Sequence, residues 1–86
     1  MAEIIRVDGT REKVNKELTL EFMQDVVGGW IEIVTFENGN MLVCNEEGKI
    51  YGLPENILGT KIWEMYNGPT DRIMGDIIMA DPGEIK

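Results

Sequence analysis

The chain has 86 residues, enough for one domain with a thin core, because a domain of this size buries only about 60–65% of its unfolded surface. Sixteen acidic and eight basic residues give a net charge of −8, which disfavours nucleic acid and anionic membranes as partners. With one cysteine and neither histidine nor serine, the sequence lacks the residues of a zinc site, an internal disulfide or a Ser–His pair. We therefore expect no cofactor, no metal and no enzymatic activity.

The same composition bears on the cellular setting and on partners. No stretch approaches the roughly 20 apolar residues of a membrane span, and the amino terminus lacks the apolar core of a signal peptide. These features favour a reducing, cytoplasmic setting. The acidity has two interpretations that the sequence leaves open: solubility, or a surface that engages a basic groove on another protein. A core this small also leads us to expect a homo-oligomer.

The predicted elements begin with a hairpin over residues 2–16. Glu3 to Val7 is rich in β-branched residues, and Asp8-Gly9 suits a tight turn. Arg11 to Lys16 can then return as a second, mostly exposed strand.

A helix is predicted to follow the hairpin. Thr19 can cap its first turn, and Leu20, Met23 and Val27 recur at helical spacing. Gly28-Gly29 can end it, because glycine readily adopts the left-handed conformation after a last turn.

Two strands and a further segment are predicted next. Trp30 to Phe36 has apolar residues on both faces, which indicates a central or doubly covered strand. Asn38-Gly39 is a strong hairpin signal that returns the chain into a strand from Met41 to Cys44. After a turn at Asn45 to Gly48, residues 49–53 are expected to continue the meander.

A second helix is predicted to begin at Asn56, which can cap it. Gly59 weakens this helix by roughly 1 kcal/mol relative to alanine, so we expect it to be short or broken. Asn67-Gly68-Pro69 ends it, and Arg72 to Ala80 forms the last strand. The prediction is one α+β domain over residues 1–86, a small mixed or antiparallel sheet of about five to six strands, with one long and one short helix.

Some residues are candidates for a ligand site, and each has a structural alternative. Gly28-Gly29 could offer backbone N–H groups to an anion, although helix termination also explains the pair. Glu32 lies in an apolar strand, where it either faces water at a sheet edge or lines a pocket. Asn56 could bind a ligand or cap the helix. The aromatic rings that could stack on a base, or simply pack, include Trp30, Tyr51 and Trp63.

Three motifs carry a family resemblance: Val27-Gly28-Gly29-Trp30-Ile31-Glu32, Asn45-Glu46-Glu47-Gly48-Lys49, and Gly52-Leu53-Pro54-Glu55-Asn56 followed by Gly59-Thr60. In this order they resemble a small uncharacterised domain family of phages, prophages and plasmids, over about residues 18–80. The resemblance implies an accessory role for a mobile element, often in counter-defence, without an established activity. The recurring polar positions of that family fall here on Glu32, Asn45, Glu46, Asn56 and Thr60.

The resemblance leads to two expectations for function. The first is sequestration of a small nucleotide-type signalling molecule in the host bacterial cytoplasm, held between the Gly28-Gly29 turn, the Asn45 turn and the start of the helix at Asn56. The acidity counts against an anionic ligand, which would need basic side chains turned inward. The alternative is an acidic protein–protein inhibitor of a host defence protein. An enzyme that degrades the signal is the least supported reading.

Overall fold

A computed structural model describes residues 1–85, in which one five-stranded antiparallel sheet carries a helix on each face. The strands, in chain order, are β1 (Glu3–Ile5), β2 (Arg11–Lys13), β3 (Ile31–Thr35), β4 (Met41–Asn45) and β5 (Ile77–Ala80). The helices are α1 (Leu20–Val27) and α2 (Ile57–Asn67). The strand order across the sheet is β2-β1-β5-β4-β3, with every neighbouring pair antiparallel. The predicted α+β class is confirmed.

The core lies in two layers because side chains alternate between the two faces of each strand. On β5, Ile78 packs with Met23 and Val27 of α1, whereas Ile77 packs on the other face toward Leu58 and other α2 residues. Each helix therefore buries its apolar side against a separate face of the same sheet.

The ends of α1 follow the predicted signals. The Thr19 hydroxyl accepts a hydrogen bond from the Phe22 N–H at 3.1 Å, which satisfies one of the free donors of the first turn. Gly28 has a φ of 81°, in the left-handed region, and follows the last helical residue. The helix is thus bounded at both ends by local chemistry.

The segment Trp30 to Phe36 is predicted to be a central or doubly covered strand, and β3 is not central. It lies at the edge of the described sheet, because β5 pairs with β1 and β4 and no described strand pairs with the outer side of β3. Both faces of β3 are nevertheless partly covered. Ile31 packs against the α1 layer and Val34 against the α2 layer, which explains why apolar residues occur on both faces.

The segment predicted to continue the meander, residues 49–53, forms turns in place of a strand. Its N–H groups are used locally: Tyr51 donates to the Glu47 carbonyl and Leu53 to the Gly48 carbonyl, each at 3.0 Å. Donors bonded within the turn are not available to a neighbouring strand, so the sheet does not extend here.

The second helix is continuous, with 11 residues against 8 in α1, so Gly59 does not break it. A Cβ at this position would lie 2.9 Å from Ile77 Cδ1. Glycine therefore lets α2 approach the sheet closely, and the packing gained offsets its poor helix propensity.

The last predicted strand is also shorter than residues 72–80. Its first part pairs with the chain that leads into α2: the Gly75 N–H donates to the Pro54 carbonyl and the Asn56 N–H to the Ile73 carbonyl, each at 2.8 Å. Only Ile77–Ala80 joins the sheet as β5.

Candidate functional site

Asn45, one of the predicted ligand contacts, is only 6% exposed. Its Nδ2 donates to the Val27 carbonyl at 3.1 Å, and its Oδ1 accepts from the Glu47 N–H at 2.8 Å. Val27 is the last residue of α1, so the side chain satisfies a carbonyl at the helix end and fixes the turn after β4. Gly29 belongs to this unit, because a Cβ there would lie 3.0 Å from Asn45 Nδ2.

The Gly28-Gly29 pair uses its backbone donors inside the helix cap. The Gly28 N–H donates to the Gln24 carbonyl at 2.8 Å, and the Gly29 N–H donates to the same oxygen at 3.2 Å. A phosphate at this turn would have to displace one of these hydrogen bonds. Helix termination therefore accounts for both glycines.

Asn56 is fully buried and bonded through every polar atom of its side chain. Its Nδ2 donates to the Ile5 and Gly75 carbonyls, each at 2.9 Å, and its Oδ1 accepts from the Gly59 N–H at 2.8 Å. The side chain caps α2 and ties the start of that helix to β1 and to the segment before β5. A ligand could reach it only by opening the fold.

Thr60 has a similar role one turn later. It is buried, and its hydroxyl accepts from the Ile73 N–H at 2.9 Å. Asn45, Asn56 and Thr60 thus join elements that are distant in sequence. The occurrence of these residue types within the motifs has a structural explanation in this chain.

The structure brings a different subset of the candidates together at the surface. Trp30 and Tyr51 are each 66% exposed and line an open groove of about 600 Å³ beside the Gly28-Gly29 turn. We call it the Trp30–Tyr51 groove, and its lining consists of Gln24, Asp25, Gly28, Gly29, Trp30, Glu47 and Tyr51. The groove therefore combines two exposed rings with two carboxylates, and its lining contains no basic residue. Gln24, Asp25 and the position of Glu47 beside this turn were not predicted from the sequence.

Glu32 and Glu46 lie at a second cavity, on the α2 side of the sheet. Both side chains are exposed, and the cavity encloses about 120 Å³. Ligand pockets in proteins usually measure about 300–1,000 Å³. This space is therefore too small to enclose a nucleotide.

Trp63, the third predicted stacking residue, also lines that cavity but is engaged in packing. Its Nε1 donates to the Thr70 hydroxyl at 3.0 Å, and its ring meets Phe36 edge to face at a centroid distance of 6.2 Å. Trp63 is half-buried, whereas Trp30 is exposed.

Cys44 forms part of the cavity wall and is buried. Burial raises the pKa of its thiol from 9.0 to about 11, with a further contribution from the negative charges of Glu32 and Asp71 and a smaller opposing one from Lys49. A thiol with so high a pKa is almost entirely protonated at neutral pH and is a poor nucleophile.

Charge is unevenly distributed along the chain. Residues 17–48 contain seven acidic residues and no lysine or arginine. They form α1, β3 and β4, which contact one another and which we call the anionic end. Within residues 1–85, none of these seven carboxylates forms an ion pair, whereas Arg11 pairs with Glu3 and Lys49 with Asp71 elsewhere.

Two further properties of residues 1–85 complete the description. No cluster of three or more Asp, Glu or Cys side chains in this range could hold a metal ion. Neither α1 nor α2, the two helices described, has the length and apolar character needed to cross a membrane.

The fold defines a small α+β domain in which one antiparallel sheet is covered by a helix on each face. The chain belongs to the family described as "Domain of unknown function (DUF3846)", which matches residues 1–85. The match is wider than the 18–80 expected from the motifs, since it includes the opening hairpin. No curated protein and no solved structure matches the chain.

The Asn56 contacts predict a large loss of stability on truncation. Asn56→Ala removes one hydrogen bond from each of two buried carbonyls and the partner of the Gly59 N–H, and an unsatisfied buried group costs about 1–3 kcal/mol. We expect a decrease of at least about 3 kcal/mol in the free energy of unfolding, measured by urea denaturation. Asn15→Ala, at an exposed position, is the control and should stay within about 0.5 kcal/mol. Equal midpoints for the two variants would refute the structural role of Asn56.

The Cys44 pKa predicts a stability change at high pH. Because the folded state holds the proton more tightly than the unfolded state, stability should fall as the pH rises from 9.0 to about 11. The loss that depends on Cys44 should approach about 2–3 kcal/mol. Comparison with Cys44→Ala at both pH values separates the stability loss caused by Cys44 from the effects of tyrosine and lysine titration. A constant stability difference between the two proteins across this range would contradict the prediction.

Proposed function

We propose that this protein is a non-enzymatic binding protein whose anionic end holds a cationic surface of another protein. The observation that carries the proposal is the set of seven carboxylates without a basic residue in residues 17–48, none of them ion-paired within residues 1–85. Like charges gathered without counter-charges attract a partner of opposite sign and accelerate its association.

The Trp30–Tyr51 groove supplies an anchor for that partner. Exposed tryptophan and tyrosine side chains are the residues most often found at the energetic centres of protein interfaces. Arginine and lysine bind well over such rings, and carboxylates beside the rings strengthen the attraction. Asp25 and Glu47 occupy those positions here. The groove is therefore suited to a cationic side chain.

The biological setting that we propose comes from the motif resemblance. An accessory protein of a phage, prophage or plasmid could block a host defence protein by occupying one of its basic surfaces in the bacterial cytoplasm. Blocking of this kind needs only affinity, so it agrees with a chain that has neither histidine nor serine and whose single thiol is buried.

Sequestration of a nucleotide-type signal is the second candidate. It is favoured by one observation, the exposure of Trp30 and Tyr51 beside the Gly28-Gly29 turn, where rings could stack on a base. The carboxylates of the groove oppose a phosphate, and the backbone donors of the turn are already bonded. We therefore rank it below a protein partner.

A retention experiment with a groove variant and a control variant tests the leading proposal. We expect immobilised wild-type protein to retain a host protein at low salt and to release it at high salt. The triple variant Asp25→Asn, Trp30→Ala, Glu47→Gln should no longer retain that protein, because it lacks the Trp30 ring and both carboxylates of the groove. Glu64→Gln with Met65→Ala changes an exposed carboxylate and an exposed apolar side chain on α2, and should retain it.

Calorimetry against cyclic and ADP-ribose-type nucleotides separates the two candidates. The leading proposal predicts no heat of binding with any of them. Tight binding that Trp30→Ala weakens, together with retention that is insensitive to salt, would contradict it and support the second candidate.

A further inference from the structure

The edge strand β3 presents unpaired backbone groups. At its two ends the chain bonds to β4, because the Glu46 N–H donates to the Trp30 carbonyl at 2.9 Å and the Phe36 N–H donates to the Asn40 carbonyl at 2.8 Å. Hydrogen-bonded pairs alternate along an antiparallel ladder, so the even-numbered residues between these ends also face β4. The residues whose N–H and C=O groups point away from the sheet are Ile31, Ile33 and Thr35.

The other edge of the sheet, β2, is protected against pairing with another chain, whereas β3 is less protected. Strand β2 has three residues, all charged, and short charged edges resist pairing with another chain. Strand β3 has five residues, and Ile33 on it is 40% exposed. The described sheet therefore offers one edge that a further strand could join.

The side chains along β3 define the chemistry of such a strand. Glu32 lies on the α2 face and is exposed, and Glu37 just beyond the strand is also exposed. Ile33 lies on the opposite face with Ile31, which packs on the α1 layer. A neighbouring strand places its side chains beside these on each face. Cationic residues on one face and apolar residues on the other would complement them.

A second copy of this chain fits the same edge poorly. Pairing β3 with β3 would bring together two anionic ends, each with seven carboxylates and no base in residues 17–48. Carboxylates at such short distances repel one another and destabilise the pair of copies, and the repulsion is stronger at low salt. Charge complementarity therefore selects a basic partner.

We propose that β3 takes up an extended segment of a partner protein as a sixth strand, with lysine or arginine at alternate positions and apolar residues between them. The proposal rests on the proposed function and specifies its binding mode. Backbone hydrogen bonds to β3 supply affinity, and the alternating side chains supply specificity. Trp30 directly precedes β3, so the same segment can continue into the Trp30–Tyr51 groove.

A capped peptide of three Lys-Val repeats is the probe, and its fully N-methylated form is the control. Both carry the same charge and side chains, but the methylated peptide has no backbone N–H. We expect calorimetry at low salt to show binding of the first peptide and at least about tenfold weaker binding of the second.

A pair of proline variants tests the same edge from the protein side. Ile33→Pro removes an N–H that faces outward, which an edge strand tolerates. Lys13→Pro does the same on β2, since the Val14 N–H to Ala2 carbonyl bond at 2.9 Å places Lys13 between bonded positions. Once circular dichroism has shown both variants folded, we expect Ile33→Pro to lose about tenfold in affinity and Lys13→Pro to bind like the wild type.

The outcomes separate the binding mode from the proposed function. Equal affinity for the two peptides would overturn pairing on β3 while leaving cation binding intact. If neither peptide binds, the result would contradict the proposed function itself. A wild-type dimer in light scattering that Ile33→Pro converts to a monomer would assign the edge to a second copy and overturn the proposal.

Discussion

The buried carboxamide of Asn56 is the contact on which the arrangement of this small domain depends. It joins the start of α2 to the Ile5 carbonyl of β1 and to the Gly75 carbonyl just before β5. With the segment before β5 held there, β5 enters the sheet between β1 and β4. On the far side of β4 lies β3, which pairs with β4 alone and forms one edge of the described sheet. A single internal amide thus holds together three parts of the chain that are distant in sequence.

Acidic and basic residues are unevenly distributed over this fold. The basic side chains lie in the opening hairpin and in the second half of the chain, and several form ion pairs there. The acidic residues of α1, β3 and β4 have no basic residue among them in sequence. The open edge, the exposed rings of Trp30 and Tyr51 and the excess negative charge therefore occur in one region of the molecule. This coincidence is what favours a cationic protein partner over a phosphate-bearing ligand.

Local signals in the sequence predicted much of the fold. The caps at Thr19 and Asn56, the left-handed Gly28 and the Asn38-Gly39 hairpin depend on neighbouring residues, and the structure contains each of them. The edge position of β3 could not be predicted in this way, because it depends on which strands the distant β5, more than forty residues further along the chain, pairs with. The strand predicted at residues 49–53 does not form, because the N–H groups of Tyr51 and Leu53 donate hydrogen bonds within their own turn.

The candidate site, too, could be predicted only in part from local sequence. Sequence identifies Asn45 and Thr60 as polar residues in motifs, but the direction of a polar side chain depends on what the fold places beside it, and both are buried in internal hydrogen bonds. Amide hydrogen exchange of β3, recorded with and without the Lys-Val peptide, is the decisive measurement for strand addition at this edge. If the peptide pairs with β3, the Ile33 and Thr35 amides exchange fast in the free protein and slowly in the complex. Unchanged exchange at both amides in the saturated complex, with slowing elsewhere, would contradict it.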